Sequence, residues 1–375
     1  MRVLRQARGP QMDFGIFNLM GYREMGPSTS DLIKDAVDIT RVADQGGIRK
    51  AWFAEHHFSN YCVCPSPLTM IAHCAPQTKK IQLTTGILVL PLYDPFRLIS
   101  EIALVDSMCE GRLVVGLGSG YQPFEFERYG KKLETSKEVA EEIIEMIEIG
   151  LTEEFLEYNG KHFKLPKTHI SPRTYKGMPE IWMAGDAPYL HRLSARKGYG
   201  MITNGRFLDA AGVAPRRKEF EQAYIDEGLD PNGLKWGLLR FCCVTDDKAE
   251  ALEYAEHVRW NLRLAGSFRR REEIMKGHMV EASKPAPNEP ELDVILKNHM
   301  IGDPEICIER GIDMIRRTNP AHIAFYFQLG TYDNKRAMKS VERFCSEVIP
   351  GIEKVLGPLS EYPTSMPRPA LAAAS

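Results

Sequence analysis

The chain has 375 residues, 43% hydrophobic and 26% charged, an ordinary globular composition that excludes a disordered or fibrous polymer. The formal net charge is −2 and the pI about 6.6, so no global basic field exists to attract nucleic acid or anionic lipid. No apolar run reaches the ~18 residues that span a bilayer, and Arg2, Arg5 and Arg8 precede no apolar stretch of the kind a secretory signal needs. Eight cysteines are too few for a disulfide scaffold. The close pairs Cys62/Cys64 and Cys242/Cys243 lack C-x-x-C spacing, so a cytoplasmic chain with reduced, buried thiols is expected.

After a loose extension over 1–11, residues 12–18 read as a strand. Ser30 or Asp31 is placed to cap a helix to about Gln45, with apolar positions Leu32, Ile33, Ala36, Val37, Ile39 and Ala43 on one face. A short apolar strand follows over 51–54. A helix over 67–75 leads to a strand over 81–90, and a helix over 96–108 to a strand over 113–118. An amphipathic helix over 136–150 precedes an excursion over 155–170, with Asn159-Gly160 as a hairpin turn. Strands over 180–184, 201–204, 236–244 and 322–329 are each followed by a helix, over 188–197, 209–227, 247–264 and 334–348.

Eight alternations with near-continuous apolar strands imply a parallel sheet that is covered on both faces or closed on itself. Eight units favour the (β/α)₈ TIM barrel over an open doubly wound sheet. Length alone allows two domains, but a barrel uses this length as one, over 12–356. Residues 266–301 break the rhythm with Arg269-Arg270-Arg271 and a Pro-rich run over 284–290. Lying between strands seven and eight, this insertion emerges at the C-terminal face, where a mobile lid belongs. Residues 357–375 read as a disordered tail.

Barrel active sites lie at the C-terminal ends of strands. After strand two comes Glu55-His56-His57-Phe58, suited to proton transfer or oxyanion stabilisation near neutral pH, or else to a structural role. Adjacent histidines point apart and no further ligand motif accompanies them, so no metal is expected. After strand four, Gly116-Leu-Gly118-Ser-Gly120-Tyr121 is an incomplete dinucleotide fingerprint. Its glycines still allow a flat ligand close to backbone. After strand five, Gly185-Asp186 opens a helix, either as a phosphate cradle or as a plain cap by Asp186. No P-loop and no G-x-S-x-G elbow is present.

In order, Phe14-Gly-Ile-Phe17, Trp52-Phe-Ala-Glu-His-His-Phe58, Thr85-Gly-Ile-Leu-Val-Leu-Pro91, Asp94-Pro-Phe-Arg97, Glu110-Gly-Arg-Leu-Val-Val-Gly116, Gly120-Tyr-Gln-Pro-Phe-Glu-Phe126 and Ile301-Gly-Asp-Pro-Glu305 resemble the bacterial luciferase-like flavin-dependent monooxygenases. The resemblance implies reduced FMN, supplied by a separate flavin reductase. It implies reaction with O₂ through a C4a-peroxyflavin to oxygenate a small apolar substrate such as an aldehyde, ketone or terpene. A homodimer is implied too. His56 matches the family's catalytic histidine. Gly86-Ile87 match a cis peptide under the flavin ring. Gly118-Ser119 and Gly185-Asp186 match turns near the phosphate, and Glu125 matches an acidic position below the flavin. Tyr121 joins the cofactor set, while Phe17, Phe53, Phe58 and Phe124, with Phe325, are candidates for the pocket lining. The arginine and cysteine that luciferases proper carry at the Ser119 and Gly118 positions are absent, which speaks against bioluminescence. Two alternatives remain at this stage. One is a deazaflavin-dependent hydride transferase, with Arg206, Arg216 and Arg217 for the cofactor's anionic tail; the other is a non-catalytic flavin-binding protein.

Overall fold

The computed structural model describes residues 12–282, 285 and 289–364. Eight strands form the barrel: β1 (Asp13–Asn18), β2 (Lys50–Phe53), β3 (Gln82–Thr85), β4 (Leu113–Gly118), β5 (Glu180–Ala184), β6 (Gly200–Asn204), β7 (Trp236–Val244) and β8 (His322–Tyr326). Each pairs in parallel with the next. β8 returns to β1 through the register Asp13↔His322 to Ile16↔Phe325, so the sheet closes as a TIM barrel. All strand C-termini therefore open on one face.

Local chemistry explains where the helices start. Ser28 caps Thr29–Gln45 in a capping box with Asp31, so Asp31 is the third helical residue rather than the cap. Asp94, Asp209, Asp247, Asp303 and Asp333 cap five later helices, each carboxylate accepting a backbone N–H of the first turn.

The barrel interior is filled by three large side chains. Trp52, Trp182 and His322 meet with ring centroids 5.6–6.0 Å apart. Gly15, Gly116, Gly200 and Gly237 make room for them: a Cβ at any of these would meet one of the three rings at 2.3–3.2 Å. Below them, Trp52 Nε1 donates to His322 Nε2 (2.9 Å), His322 Nδ1 donates to Asp13, and Asp13 pairs with Lys50 at 2.9 Å. This network closes the N-terminal end.

Several elements differ from the sequence expectation. The third strand is not continuous over 81–90. It breaks at a cis Gly86–Ile87 peptide, resumes at Leu88–Val89 beside β4, and ends in a 3₁₀ turn, Leu90–Leu92. The excursion is a hairpin, Phe155–Asn159 with Lys164–His169, and its turn spans 160–163 rather than Asn159-Gly160 alone. The helix after β7 runs to Arg270. Residues 266–301 are not one loop. They hold the end of that helix, a hairpin (Ile274–Lys276 with Met279–Ala282), a helix (Leu292–Asn298) and the start of a strand, Met300–Gly302, that pairs with β7. The helices Pro123–Arg128 and Pro304–Thr318 escaped the periodicity reading. Residues 357–364, expected in the tail, pack back on the barrel: Arg217 and Asn319 side chains both donate to the Thr364 carbonyl. The expectations for 1–11 and 365–375 lie outside the described residues.

Candidate active site

The C-terminal face gathers the loops after β2, β3, β4, β5 and β6. At its centre is His56. Its Nδ1 lies 3.0 Å from Glu125 Oε1, and the same oxygen accepts the His57 backbone N–H at 2.8 Å. Glu125 is 1% exposed, so its charge is satisfied within the protein rather than by water. With Nδ1–H donated to this carboxylate, the ring orientation is fixed and Nε2 is the nitrogen left to face the mouth. Among the described residues nothing hydrogen-bonds Nε2. Tyr61 and Tyr121 flank the ring at centroid distances of 4.8 and 5.7 Å. Gln122 Nε2 sits 3.1 Å from both His56 Nδ1 and the Tyr121 hydroxyl, while its Oε1 is buried without a partner.

His57 belongs to the layer behind. Its Nε2 donates to Glu55 (3.1 Å), and its Nδ1 accepts from the Tyr129 hydroxyl (3.0 Å). Glu55 also accepts from Val89 N and Tyr93 Oη. Burial raises the Glu55 carboxyl above its ordinary range, against the lowering effect of those donors. The two adjacent histidines thus serve different layers: one faces the mouth, and the other braces Glu55, which ties β2's loop to Val89 and Tyr93 after β3, against Tyr129.

The expected flavin residues meet here. Gly86 places a would-be Cβ 2.9 Å from the Phe17 ring, and a Cβ on Gly118 would strike Ile87 Cδ1 at 2.3 Å. Phe17, Gly86-Ile87 and Gly118 are therefore one contiguous surface, and the cis peptide expected from the resemblance is present at Gly86–Ile87. Ser119 Oγ lies 3.2 Å from Tyr189 Oη. Asp186 is not a helix cap: the helix starts after Ala187 with no side-chain cap, and Asp186 instead pairs with Arg216 at 2.6 Å. Its other oxygen is buried without a partner. Arg217, expected for a cofactor tail, is turned away. It bonds Glu221, the Asn319 carbonyl and the Thr364 carbonyl.

Of the pocket phenylalanines, Phe17 meets Tyr326 at 4.7 Å beside Gly86. Phe53 follows the inward Trp52 on β2, so strand alternation turns it outward. Phe58 is 46% exposed, at φ 64, with its ring tilted against Tyr129 at a centroid distance of 5.2 Å. Phe325 packs against Phe14 and Phe344 of the helical layer. Phe124 is buried against Phe268 from the helix after β7. Sequence reading missed Tyr61 and Tyr326. Tyr61 packs between His56 and Phe268, and Tyr326 between Phe17 and Phe241. Burial lifts the Tyr61, Tyr121 and Tyr326 hydroxyls, so all three stay neutral donors. Tyr326 was recoverable in principle, being one position from Phe325 on the opposite strand face; no sequence signal marks Tyr61.

Among the described residues no cluster of three or more His, Cys, Asp or Glu side chains is arranged to hold a metal ion, and no helix is long and apolar enough to cross a membrane.

The pattern of the luciferase-like monooxygenase family matches residues 12–318. An uncharacterised protein y4vJ of Sinorhizobium fredii is 34% identical over 348 residues, covering 92% of this chain and 99% of its own. The oxygenase component of a flavin-dependent trigonelline monooxygenase from Acinetobacter baylyi is 27% identical, covering 92% and 96%. In fold, the chain is similar to monooxygenase RslO1 from Streptomyces bottropensis (TM-score 0.79, 20% identity, 90% and 99% covered). The FMN complex of the oxygenating constituent of 3,6-diketocamphane monooxygenase from Pseudomonas putida (TM-score 0.72, 18%, 91% and 98%) shares that fold. So does an F420-dependent secondary alcohol dehydrogenase (TM-score 0.69, 17%, 91% and 99%), so the barrel by itself does not choose the flavin. The chain belongs to the luciferase-like flavin-dependent monooxygenases.

Proposed function

We propose that this enzyme uses reduced FMN and O₂ to oxygenate a small organic substrate held beside Phe17, Tyr61 and Tyr326. The single observation that carries the reading is His56, fixed by buried Glu125 with Nε2 free, at the rim of a surface built from Gly86-Ile87, Gly118 and Phe17. That glycine-lined surface fits a flat ring system, which would lie there against backbone. The orphaned Gln122 Oε1 and the tyrosine hydroxyls fit its polar edge. Ser119, Tyr189 and the Gly185 loop fit a phosphate, with the Asp186 charge offset by Arg216. Bound there, the reduced flavin supplies the activation of O₂.

The protein's own part is positioning and dryness. His56 holds or accepts a proton at Nε2; Glu125 orients it. The hairpin over 274–282 acts as the lid, held to the loop after β2: Asn60 N donates to the His278 carbonyl (2.9 Å), and Val280 N to Asn60 Oδ1 (2.9 Å). The Acinetobacter relative is named as an oxygenase component. On that basis we assign the supply of reduced flavin to a separate reductase. Of the three arginines expected for a deazaflavin tail, Arg216 and Arg217 are committed to Asp186 and to carbonyls, which favours FMN over the hydride-transfer reading.

The test is anaerobic titration with reduced FMN and with reduced deazaflavin, followed by ¹⁸O₂ and a substrate panel. Tight FMN binding with ¹⁸O in product supports the proposal. Preference for deazaflavin, or oxidation without ¹⁸O incorporation, overturns it.

A further inference from the structure

A cavity lies at the seam where the barrel closes. It is walled by Phe17 and Asn18 at the end of β1, by Gln328 after β8, and by Asp35 and Asn334 from the helices over 29–45 and 334–343. Its space is about 20 Å³, which one water-sized particle fills. Asp35 shares a helical stripe with Leu32, Ala36 and Ile39, which line the same cavity, so a carboxylate stands on an otherwise apolar face. No lysine or arginine pairs with Asp35 among the described residues; Lys34, beside it in sequence, pairs with Asp38 at 2.9 Å.

What these side chains have left to offer is oxygen. Asn334 Nδ2 donates to the Asp35 carboxylate (2.9 Å) and to the Asp35 carbonyl (3.5 Å). Gln328 Nε2 donates to the carbonyls of Gly330 (2.8 Å) and Tyr332 (3.3 Å). Both amides have thus spent both hydrogens. Asn18 Nδ2 donates to Thr40 Oγ1 (3.2 Å), whose own hydrogen goes to the Ala36 carbonyl. Each amide nitrogen faces acceptors only, so the nitrogen and oxygen ends are not interchangeable. Asn334 Oδ1 is buried without a partner. The polar wall is therefore one carboxylate and three amide oxygens. A water donates to two acceptors at most and leaves such a set unsatisfied. A hard cation is bound by oxygens of this kind. One carboxylate balances one positive charge, and the space admits no hydration shell of the sort Mg²⁺ keeps.

We propose that this cavity binds one monovalent alkali cation, held by the Asp35 carboxylate and the side-chain oxygens of Asn18, Gln328 and Asn334. The ion joins the end of β1 to the turn after β8, and both to the helices outside them, so it fastens the seam of the barrel. It does so beside Phe17, whose ring lies against Gly86. The inference stands on the cavity's own oxygens and is independent of the flavin reading.

The test is the Tm of the full chain without added flavin, exchanged into tetramethylammonium chloride and titrated with KCl or NaCl at constant ionic strength. The expected result is a saturable rise of about 2 to 4 °C with at least one of the two salts. Asp35→Asn keeps the shape, removes the charge and abolishes the rise; the control Lys34→Gln leaves it unchanged. Equal Tm in all three salts overturns the proposal. So does a rise that survives in Asp35→Asn, or a larger rise with MgCl₂ or CaCl₂ than with either alkali salt. Where Asp35→Asn does not fold, wild-type crystals soaked in rubidium or thallium(I) decide. An anomalous peak between Asp35 and Asn334 supports the site, and its absence there assigns the cavity to water and overturns the proposal.

Discussion

Glu125 holds two consecutive residues by different atoms: its Oε1 receives the His56 ring at 3.0 Å and the His57 backbone N–H at 2.8 Å. One carboxylate thereby sets both the orientation of the outer histidine and the path of the loop after β2. His56→Ala removes the proton-handling group without disturbing that loop. It is expected to lower ¹⁸O incorporation by about 100- to 10,000-fold, to raise hydrogen peroxide release, and to leave Tm within about 1 °C. Product formation equal to wild type removes His56 from the reaction.

Glu125→Gln tests the positioning role. The amide keeps an acceptor for the His57 N–H but loses the charge that fixes the ring. The loss in kcat is expected to be about tenfold, with an altered pH–rate profile and little change in flavin affinity. A pH profile identical to wild type shows that the carboxylate is only structural.

Asn60 ties the hairpin at 274–282 to the loop after β2, and it also donates to the Tyr22 carbonyl at 2.8 Å. Asn60→Ala is expected to spare reduced-flavin binding while shifting O₂ consumption from product to hydrogen peroxide by several-fold. Unchanged coupling, measured as product formed per O₂ consumed, counts against a lid.

The N-terminal end of the barrel gives an acid signature. Burial pushes the Asp13 carboxyl up, but Lys50 and His322 outweigh it and hold it down to about 2, below its ordinary 3.8. The folded state therefore binds this proton less readily than the unfolded chain. Its contribution, of order 2 kcal/mol, is present above pH ~4 and is lost as pH falls toward 2. Burial also keeps His322 below the usual histidine range, so some stability is already lost as pH falls below about 6.5. Asp13→Asn is expected to lower Tm at pH 7 and to flatten the dependence between pH 4 and 2. Parallel Tm curves for variant and wild type contradict this account.

Barrel filling predicts unequal glycine tolerance. A Cβ on Gly116 would sit 2.0 Å from the Thr85 carbonyl oxygen, a backbone atom that cannot rotate away. Gly116→Ala is expected to cost about 3 kcal/mol. At Gly237 the nearest contact is Trp182 at 3.0 Å, so Gly237→Ala costs less. Urea unfolding of both variants checks the order; equal costs show that the strands adjust around either methyl group.

Much of this was legible in one chain. Apolar strands alternating with amphipathic helices can bury both faces of eight parallel strands only in a covered or closed sheet, and the aspartate caps mark helix starts by local chemistry. The placing of His56, Gly86-Ile87 and Gly118 at strand ends follows from the same rhythm. What the sequence could not show was decided by packing across distant strands. Which of two neighbours faces inward, Trp52 or Phe53, Tyr326 or Phe325, depends on register against strands distant in sequence, about 35 residues away for Trp52 and about 309 for Phe325. Four glycines scattered through β1, β4, β6 and β7 have a shared purpose only once Trp52, Trp182 and His322 occupy the same interior. Asp186 reads as a cap locally, yet Arg216, from the next helix, claims it because an ion pair across two loops outweighs a helix-end hydrogen bond. Charges and rings act at a few ångströms in space, and only the closed barrel brings these residues within that range.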